Sequence, residues 1–172
     1  QIIGKNIGNF FDWIKGAELV ELKECNTKED PVRPELDNTV RRSYGRKIFG
    51  VKYKREIHAV MCFAYTNEIP KSVEELDVMS QDAHLQSTLR GQNVGKIAIA
   101  YTVWSKKKGG GKLIVKEVFN KIKKSNHLNR LVTLSPLTDM AYKFHIKNGA
   151  KLISVNETTQ NFEYKVIKNK KY

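Results

Sequence analysis

Residues 96–124 read KIAIAYTVWSKKKGGGKLIVKEVFNKIKK, and the apolar period changes in the middle of the run. Lys96 to Trp104 alternates, with Ile97, Ile99 and Tyr101 on one face and Ala98, Ala100 and Thr102 on the other, which predicts a strand. Leu113, Val115, Val118, Phe119 and Ile122 then follow a helical period, ending in Lys121, Lys123 and Lys124, where cations complement the helix dipole. Ser105 to Gly111 joins the two as a basic, glycine-rich turn. Gly109, Gly110 and Gly111 let backbone N–H groups turn toward an anion at a helix N-terminus, while Lys106, Lys107, Lys108 and Lys112 supply countercharge. A pyrophosphate fits that design. No Gly-Lys-Ser/Thr closes the turn and Gly-x-Gly-x-x-Gly is absent, so it is neither a Walker loop nor a dinucleotide fingerprint. A flexible basic connector is the alternative reading.

Outward from this centre, Asn6 to Lys15 has the spacing of a short N-terminal helix, and Ala17 to Lys23 alternates like a strand. Asn26 to Arg46 is polar, holds Pro31 and Pro34 and shows no period, which reads as a long excursion with one helical turn. Lys47 to Tyr53 and Glu56 to Thr66 read as a hairpin about Lys54 and Arg55, and the nearly continuous apolar run of the second strand predicts a central strand covered on both faces. Pro70 occupies a first helical position, Ser72 to Leu76 a short helix, and Gln81 to Val94 an irregular stretch. Arg130 to Leu134 reads as a strand, Thr138 to Asn148 as a helix capped by Gly149, and Lys151 to Val155 and Asn161 to Ile167 as two closing strands. The expected fold is α/β (α+β), a mixed, mostly antiparallel twisted sheet flanked by helices, in a single domain over residues 1–172.

The 172 residues carry 31 Lys+Arg against 18 Asp+Glu, a formal charge of +13. A field of that sign attracts anions: nucleic acid, anionic phospholipid, an acidic protein or a polyphosphorylated cofactor. The lysines are spread from Lys96 onward, and the chain lacks the aromatic ladder of an RNA-binding sheet. No stretch approaches the ~18 apolar residues of a membrane span, and Gln1 to Phe11 does not read as a secretory signal, so an intracellular, cytoplasmic protein without membrane attachment is expected. Cys25 and Cys62 lack ligand-spaced companions; reduced thiols, Cys62 in a strand core, and no metal site are expected. His84 and His127 fall in polar stretches and read as solvated, and Glu56 and His58 flank the hairpin.

His145 follows Ala141 by four positions and Leu137 by eight, which turns its imidazole inward. An inward imidazole is either structural or at work as an acid or base, and the strand end at Ser135 comes close to it in a strand–loop–helix. Ser135 precedes Pro136 and equally suits an ordinary turn. Tyr164 reads as strand core or as a proton donor. Trp104, next to the glycine turn, reads as a packing residue or as a wall of a pantetheine channel.

Lys106, Gly109 and Gly111 fall on the Arg/Gln-x-x-Gly-x-Gly/Ala spacing of the acyl-CoA N-acyltransferase (GNAT) superfamily, which the turn resembles, with lysine in the first place. Ala141, Phe144, Lys147 and Gly149 stand at later steps of that pattern. A closer resemblance, over roughly residues 58 to 167, is to the catalytic domain of malonyl-CoA decarboxylase. It rests on Ala64-Tyr65-Thr66 with Ile69-Pro70, on the glycine turn, and on Thr133-Leu134-Ser135-Pro136 followed by Phe144-His145-Ile146-Lys147-Asn148-Gly149-Ala150. The resemblance implies that Ser135 and His145 act at the thioester, with Tyr164 nearby. The chain departs from that family: Leu137-Thr138-Asp139 replaces Ile-Pro-Gly, glycine replaces an acidic residue of the cofactor loop, no counterpart of the family's helical domain is present, and the serine and histidine motifs are fused into one segment.

What the resemblance implies is acetyl-CoA or another acyl-CoA as donor, held by Trp104, Lys106, Lys107, Lys108, Gly109, Gly110, Gly111 and Lys112, in a compact form such as bacteria or phages carry. Acyl transfer to an amine stands ahead of decarboxylation, because the decarboxylase-specific residues are those that changed. A basic nucleic-acid-binding or virion-associated module, motivated by the charge and by Lys165, Lys168, Lys170 and Lys171, is the reading from another class.

Overall fold

The computed structural model describes residues 13–91 and 95–168. The N-terminal helix expected from Asn6 lies mostly outside them, residues 13–16 being helical; Lys170 and Lys171 also lie outside. The sheet is built around β3 (Glu56–Thr66), eight of whose residues are buried. On one side β3 pairs antiparallel with β2 (Lys47–Tyr53), and β2 with β1 (Glu18–Leu22). Lys54 and Arg55 both take positive φ, 48° and 69°, the left-handed pair that a tight hairpin between right-twisted strands requires. On the other side β3 pairs antiparallel with β4 (Ile97–Ser105), which runs parallel to β5 (Arg130–Thr133) through the crossover helix α3 (Gly110–Lys124). The last long strand, β8 (Thr159–Tyr164), pairs antiparallel with β5, with the two-residue β6 (Ser135–Pro136) and with β7 (Lys151–Val155). The result is a mixed, mostly antiparallel eight-stranded sheet flanked by helices, as expected.

One irregularity decides where a ligand can go. Opposite β3 the register runs Cys62↔Thr102 and then Phe63↔Ala100, so Tyr101 is an extra residue, a β-bulge. Pairing of β4 with β5 covers Ile97↔Arg130 to Ala100↔Thr133 and closes on the Leu134 N–H to Ala100 carbonyl bond at 2.9 Å. Beyond the bulge the two parallel strands part. The bulge also breaks the alternation read from the sequence: Thr102 joins Tyr101 on the Cys62 face instead of following Ala98 and Ala100.

Two apolar clusters cover the sheet. On one face α3 lays Leu113, Ile114, Val115, Val118 and Ile122 on Ala59, Met61, Phe63, Ala98 and Ala100, each such side chain contributing about 1.5–3 kcal/mol relative to exposure. On the other face Ile48, Val60, Cys62, Ile97, Ile99, Tyr101, Trp104, Val132 and Leu134 meet Leu36 and the helix α2 (Val73–Arg90). The excursion after β1 carries two short helical turns where one is expected, a 3-10 turn at Thr27–Glu29 and α1 (Asn38–Arg42), the latter capped by Asp37.

Helix α2 corrects the irregular stretch expected over Gln81 to Val94. Its start is as read: Ser72 caps the Glu75 N–H and Glu75 reaches back to the Lys71 N–H, with Pro70 just ahead of the cap rather than inside the helix. Its buried stripe is Leu76, Ser80, Ala83 and Ser87, while Val78, Leu85 and Leu89 are exposed. Small and hydroxyl residues face the protein and leucines face water, which erases the apolar period on which a sequence reading depends. The expected helix over Thr138 to Asn148 is α4 (Asp139–Lys147), with Thr138 as N-cap and Gly149 at φ 95° after its end.

Candidate active site

The glycine turn lies where β4 has left β5. Gly109, at φ 85°, caps α3 without a side-chain hydrogen bond. Gly110 donates to the Lys107 carbonyl and Leu113 to the Gly109 carbonyl, so the N–H groups of Gly111 and Lys112 are without a partner among the described residues. Those donors, at the positive end of a 15-residue helix, face an anion's ordinary place of binding. The three glycines have different reasons to be there. Gly109 needs its positive φ; a Cβ on Gly110 would stand 3.0 Å from Ser105 Cβ; one on Gly111 would stand 2.9 Å from the Phe144 ring.

The lysines sort differently from the sequence expectation. Lys106 is paired with Glu29 (2.7 Å), and Lys107 lies over the Trp13 and Tyr53 rings at 4.8 and 5.1 Å. The Lys108 carbonyl accepts the Trp13 indole N–H. Further positive charge lines a groove of about 500 Å3 between α3, the end of α4 and β8, formed by Lys112, Lys116, Phe119, Lys147, Tyr164 and Lys165. Only Lys112 of these four lysines was marked from the sequence as a ligand. The others gather from three separate elements, which no spacing rule reveals.

At the groove Tyr164 meets His145. The His145 Nδ1 and Tyr164 Oη are 2.7 Å apart, the imidazole is stacked on Phe162 at 4.9 Å, and the edge of Phe144 closes it from another side. His145 is 4% exposed, as its inward helical position predicts. Burial pushes its pKa down to about 4, so the ring is neutral at pH 7, and burial pushes the Tyr164 phenol up, so it keeps its proton. Nε2 has no hydrogen-bond partner among the described residues. A neutral imidazole of this kind donates or accepts one hydrogen bond toward a substrate and carries no charge.

Ser135 is buried, with its hydroxyl 2.8 Å from that of Thr133. Thr133 in turn accepts the Phe162 N–H, and the Thr133 carbonyl accepts from Asn161, which also holds the Pro70 carbonyl. Ser135 and His145 thus flank Phe162 without a direct hydrogen bond between them among the described residues. Trp104 is not beside this groove. The bulge at Tyr101 turns it to the opposite sheet face, where it packs under Arg41 and, with Lys106, Cys25 and Glu29, lines a separate cavity of about 420 Å3. A pantetheine channel on the α3 face therefore does not include it. His84 also departs from its expected solvation: it sits in α2 with Nδ1 enclosed and without a partner. Glu56 and His58 stand 3.7 Å apart at the hairpin.

The excursion over residues 26–46 holds the strongest buried electrostatics. Asp30 and Arg41 pair at 2.8 Å with both side chains fully buried. Asp30 also accepts from the Val32 and Arg33 N–H groups and from Thr102. Burial pushes the Asp30 carboxyl up, but these donors outweigh it and hold it below the usual carboxylate range. Arg33 donates Nε to the Tyr101 carbonyl and Nη2 to the Leu134 carbonyl, spanning the gap where β4 and β5 part. Asp-x-x-Arg in a proline-containing, aperiodic stretch is the only sequence trace of this network. Among the described residues no cluster of His, Cys, Asp and Glu has the make-up of a metal site, and no helix is long and apolar enough to cross a membrane.

No protein-family model matches the sequence, and no curated protein matches it. Solved structures do match in fold. One is the GphF GNAT-like decarboxylase in complex with isobutyryl-CoA, at 9% identity over 87% of this chain and 100% of that one, with a TM-score of 0.65. Another is a Bacillus subtilis acetyltransferase in complex with CoA, at 12% identity over 88% of this chain and 99% of that one, TM-score 0.56. A third is the malonyl-CoA decarboxylase from Cupriavidus metallidurans, at 18% identity over 81% of this chain and 36% of that one, TM-score 0.50. With its parallel β4 and β5 parting beside a glycine-capped helix, the chain is a GNAT-fold protein.

Proposed function

We propose that the chain binds an acyl-CoA and transfers its acyl group to an amine, with His145 and Tyr164 at the thioester. The observation that carries this is the lysine-lined groove along α3, with Lys112 of the uncapped first turn and Tyr164 in its wall, the Tyr164 hydroxyl being bonded to a buried neutral imidazole. The groove fits the group. The Gly111 and Lys112 N–H groups suit a pyrophosphate, and Lys112, Lys116, Lys147 and Lys165 suit the remaining phosphate charge. Bound CoA supplies a thioester with a good leaving thiolate. The amine nitrogen attacks the carbonyl carbon while His145 Nε2–H holds the carbonyl oxygen; as the C–S bond breaks, Tyr164 passes its proton to the departing thiolate and takes one from the nitrogen, so that amide and CoA thiol leave with Tyr164 protonated as before.

Decarboxylation is the second reading, favoured by the Ser135 and His145 motifs and by a neutral His145 suited to an enolate oxygen. It stands behind transfer because Leu137-Thr138-Asp139 replaces the Ile-Pro-Gly of the resembled family and glycine replaces the acidic residue of its cofactor loop. A basic module without catalysis has no comparable built site in its favour. The test is to incubate the protein with acetyl-CoA and malonyl-CoA, with and without a panel of amines. Amine-dependent release of free CoA supports transfer; amine-independent conversion of malonyl-CoA to acetyl-CoA supports decarboxylation; neither, with no CoA binding, contradicts both.

A further inference from the structure

Arg33 is 8% exposed, yet its side chain is bonded only to the neutral carbonyls of Tyr101 and Leu134. The one buried carboxylate nearby, Asp30, is taken by Arg41, Thr102 and two backbone N–H groups. Asp30 and, after it, Glu35 act on Arg33 through their fields, but among the described residues no carboxylate stands within ion-pairing distance of it. A buried guanidinium without a counter-ion is expensive, and such charges are ordinarily paired. Its Nη1 edge makes no hydrogen bond among the described residues. Nη1 is not enclosed, whereas the Tyr101 hydroxyl on the same face, in a residue only 3% exposed, is enclosed and has no partner. Both belong to the point where β4 leaves β5, and both lie on the sheet face opposite α3 and the lysine-lined groove.

The geometry points to a carboxylate of the second substrate as the missing partner: the acceptor is an amino acid or similar amino carboxylate, entering from the face opposite the CoA groove and held by the guanidinium of Arg33. A planar carboxylate matches the free edge of the guanidinium. The opposed faces argue for the acceptor rather than the CoA-borne group as its source. This inference rests on the acyl-transfer reading for the word acceptor, but the anion site itself does not.

The test is made on the protein saturated with CoA. N-acetylglycine, N-acetylleucine and N-acetyltyrosine, as product-like probes, are titrated in parallel with their neutral carboxamides. The carboxylates are expected to bind on the order of tenfold tighter or more, and Arg33→Met to remove that preference without changing the affinity for CoA. Equal affinity of carboxylates and amides for the unmodified protein overturns the inference, as does a preference that survives Arg33→Met. Should Arg33→Met fail to fold, Arg33→Lys keeps the charge and loses the fork, and a weakened preference is expected from it; the unmodified protein alone still decides. Acetyl-CoA turnover is then compared for leucine against isoamylamine and tyrosine against tyramine. Arg33-dependent binding of carboxylates without transfer to any amine removes the acyl-transfer reading and leaves the anion site standing.

Discussion

The two faces of the sheet carry their chemistry in opposite ways. On the α3 face the charges are exposed lysines around an open groove, and the groups proposed to react, His145 and Tyr164, are buried but neutral. On the other face the charges themselves are buried: Asp30, Arg33 and Arg41 lie under an excursion with little regular structure. A solvated groove attracts a polyanion and releases it. A buried ionic network costs desolvation that only dense hydrogen bonding offsets, so it fixes the shape of one place at the expense of stability. In this molecule that place is the gap between β4 and β5.

The contrast is sharpest at the two groups that carry each face. Replacing His145 by Gln is expected to lower acyl-transfer turnover by about 100- to 10,000-fold while leaving CoA affinity within a few-fold, read by free-thiol release and calorimetry. Loss of affinity in step with turnover would make His145 a wall of the groove rather than a working group. Replacing Asp30 by Ala is expected to cost about 3–5 kcal/mol, because it strands the Arg41 charge in the interior; urea denaturation checks this. A cost below about 1 kcal/mol, the range of surface pairs, would erase the difference between the faces.

Acid separates them as well. His145 has a folded pKa of about 4 against 6.5 unfolded, so the unfolded chain binds the proton more readily. Its contribution is complete above pH 6.5 and is lost progressively as the pH falls toward 4, up to about 3 kcal/mol. Asp30, whose folded pKa is lowered, loses its contribution only at still lower pH, below the ordinary carboxylate range. Urea midpoints at pH 7 and pH 4.5 should therefore differ in the natural sequence and converge in His145→Gln. The smallest effect is expected at the glycine turn, where Gly109→Ala forces a side chain into φ 85° at about 1–2 kcal/mol, with a matching loss of CoA affinity.

The same division governs what the sequence reveals. Ile97 to Ser105 and Leu113 to Ile122 carry clean periods, so the sheet and the crossover helix are legible; His145 is inward as read, but Leu137, on which that reading leaned, is exposed ahead of the Thr138 cap. The Phe144-to-Ala150 string adds the resemblance to CoA-thioester enzymes. The bulge at Tyr101 leaves no mark on the pattern and moves Trp104 and Thr102 to the other face. Helix α2 hides because its inner face is Ser80, Ala83 and Ser87. The groove lysines come from α3, α4 and the chain after β8, and the side-chain partners of Asp30, Arg41 and Thr102, from 11 and 72 positions away; contacts of that range are fixed by packing, and a linear reading does not reach them.

The most direct test of the account is calorimetric titration of the protein with acetyl-CoA and with ATP at the same moderate ionic strength, repeated after Lys147→Glu and Lys165→Glu. The account predicts that acetyl-CoA binds more tightly than ATP at one site, and that reversing the two groove charges abolishes the difference. Equal affinity for the two, unaffected by either substitution, would contradict a specific CoA groove and leave only a basic surface.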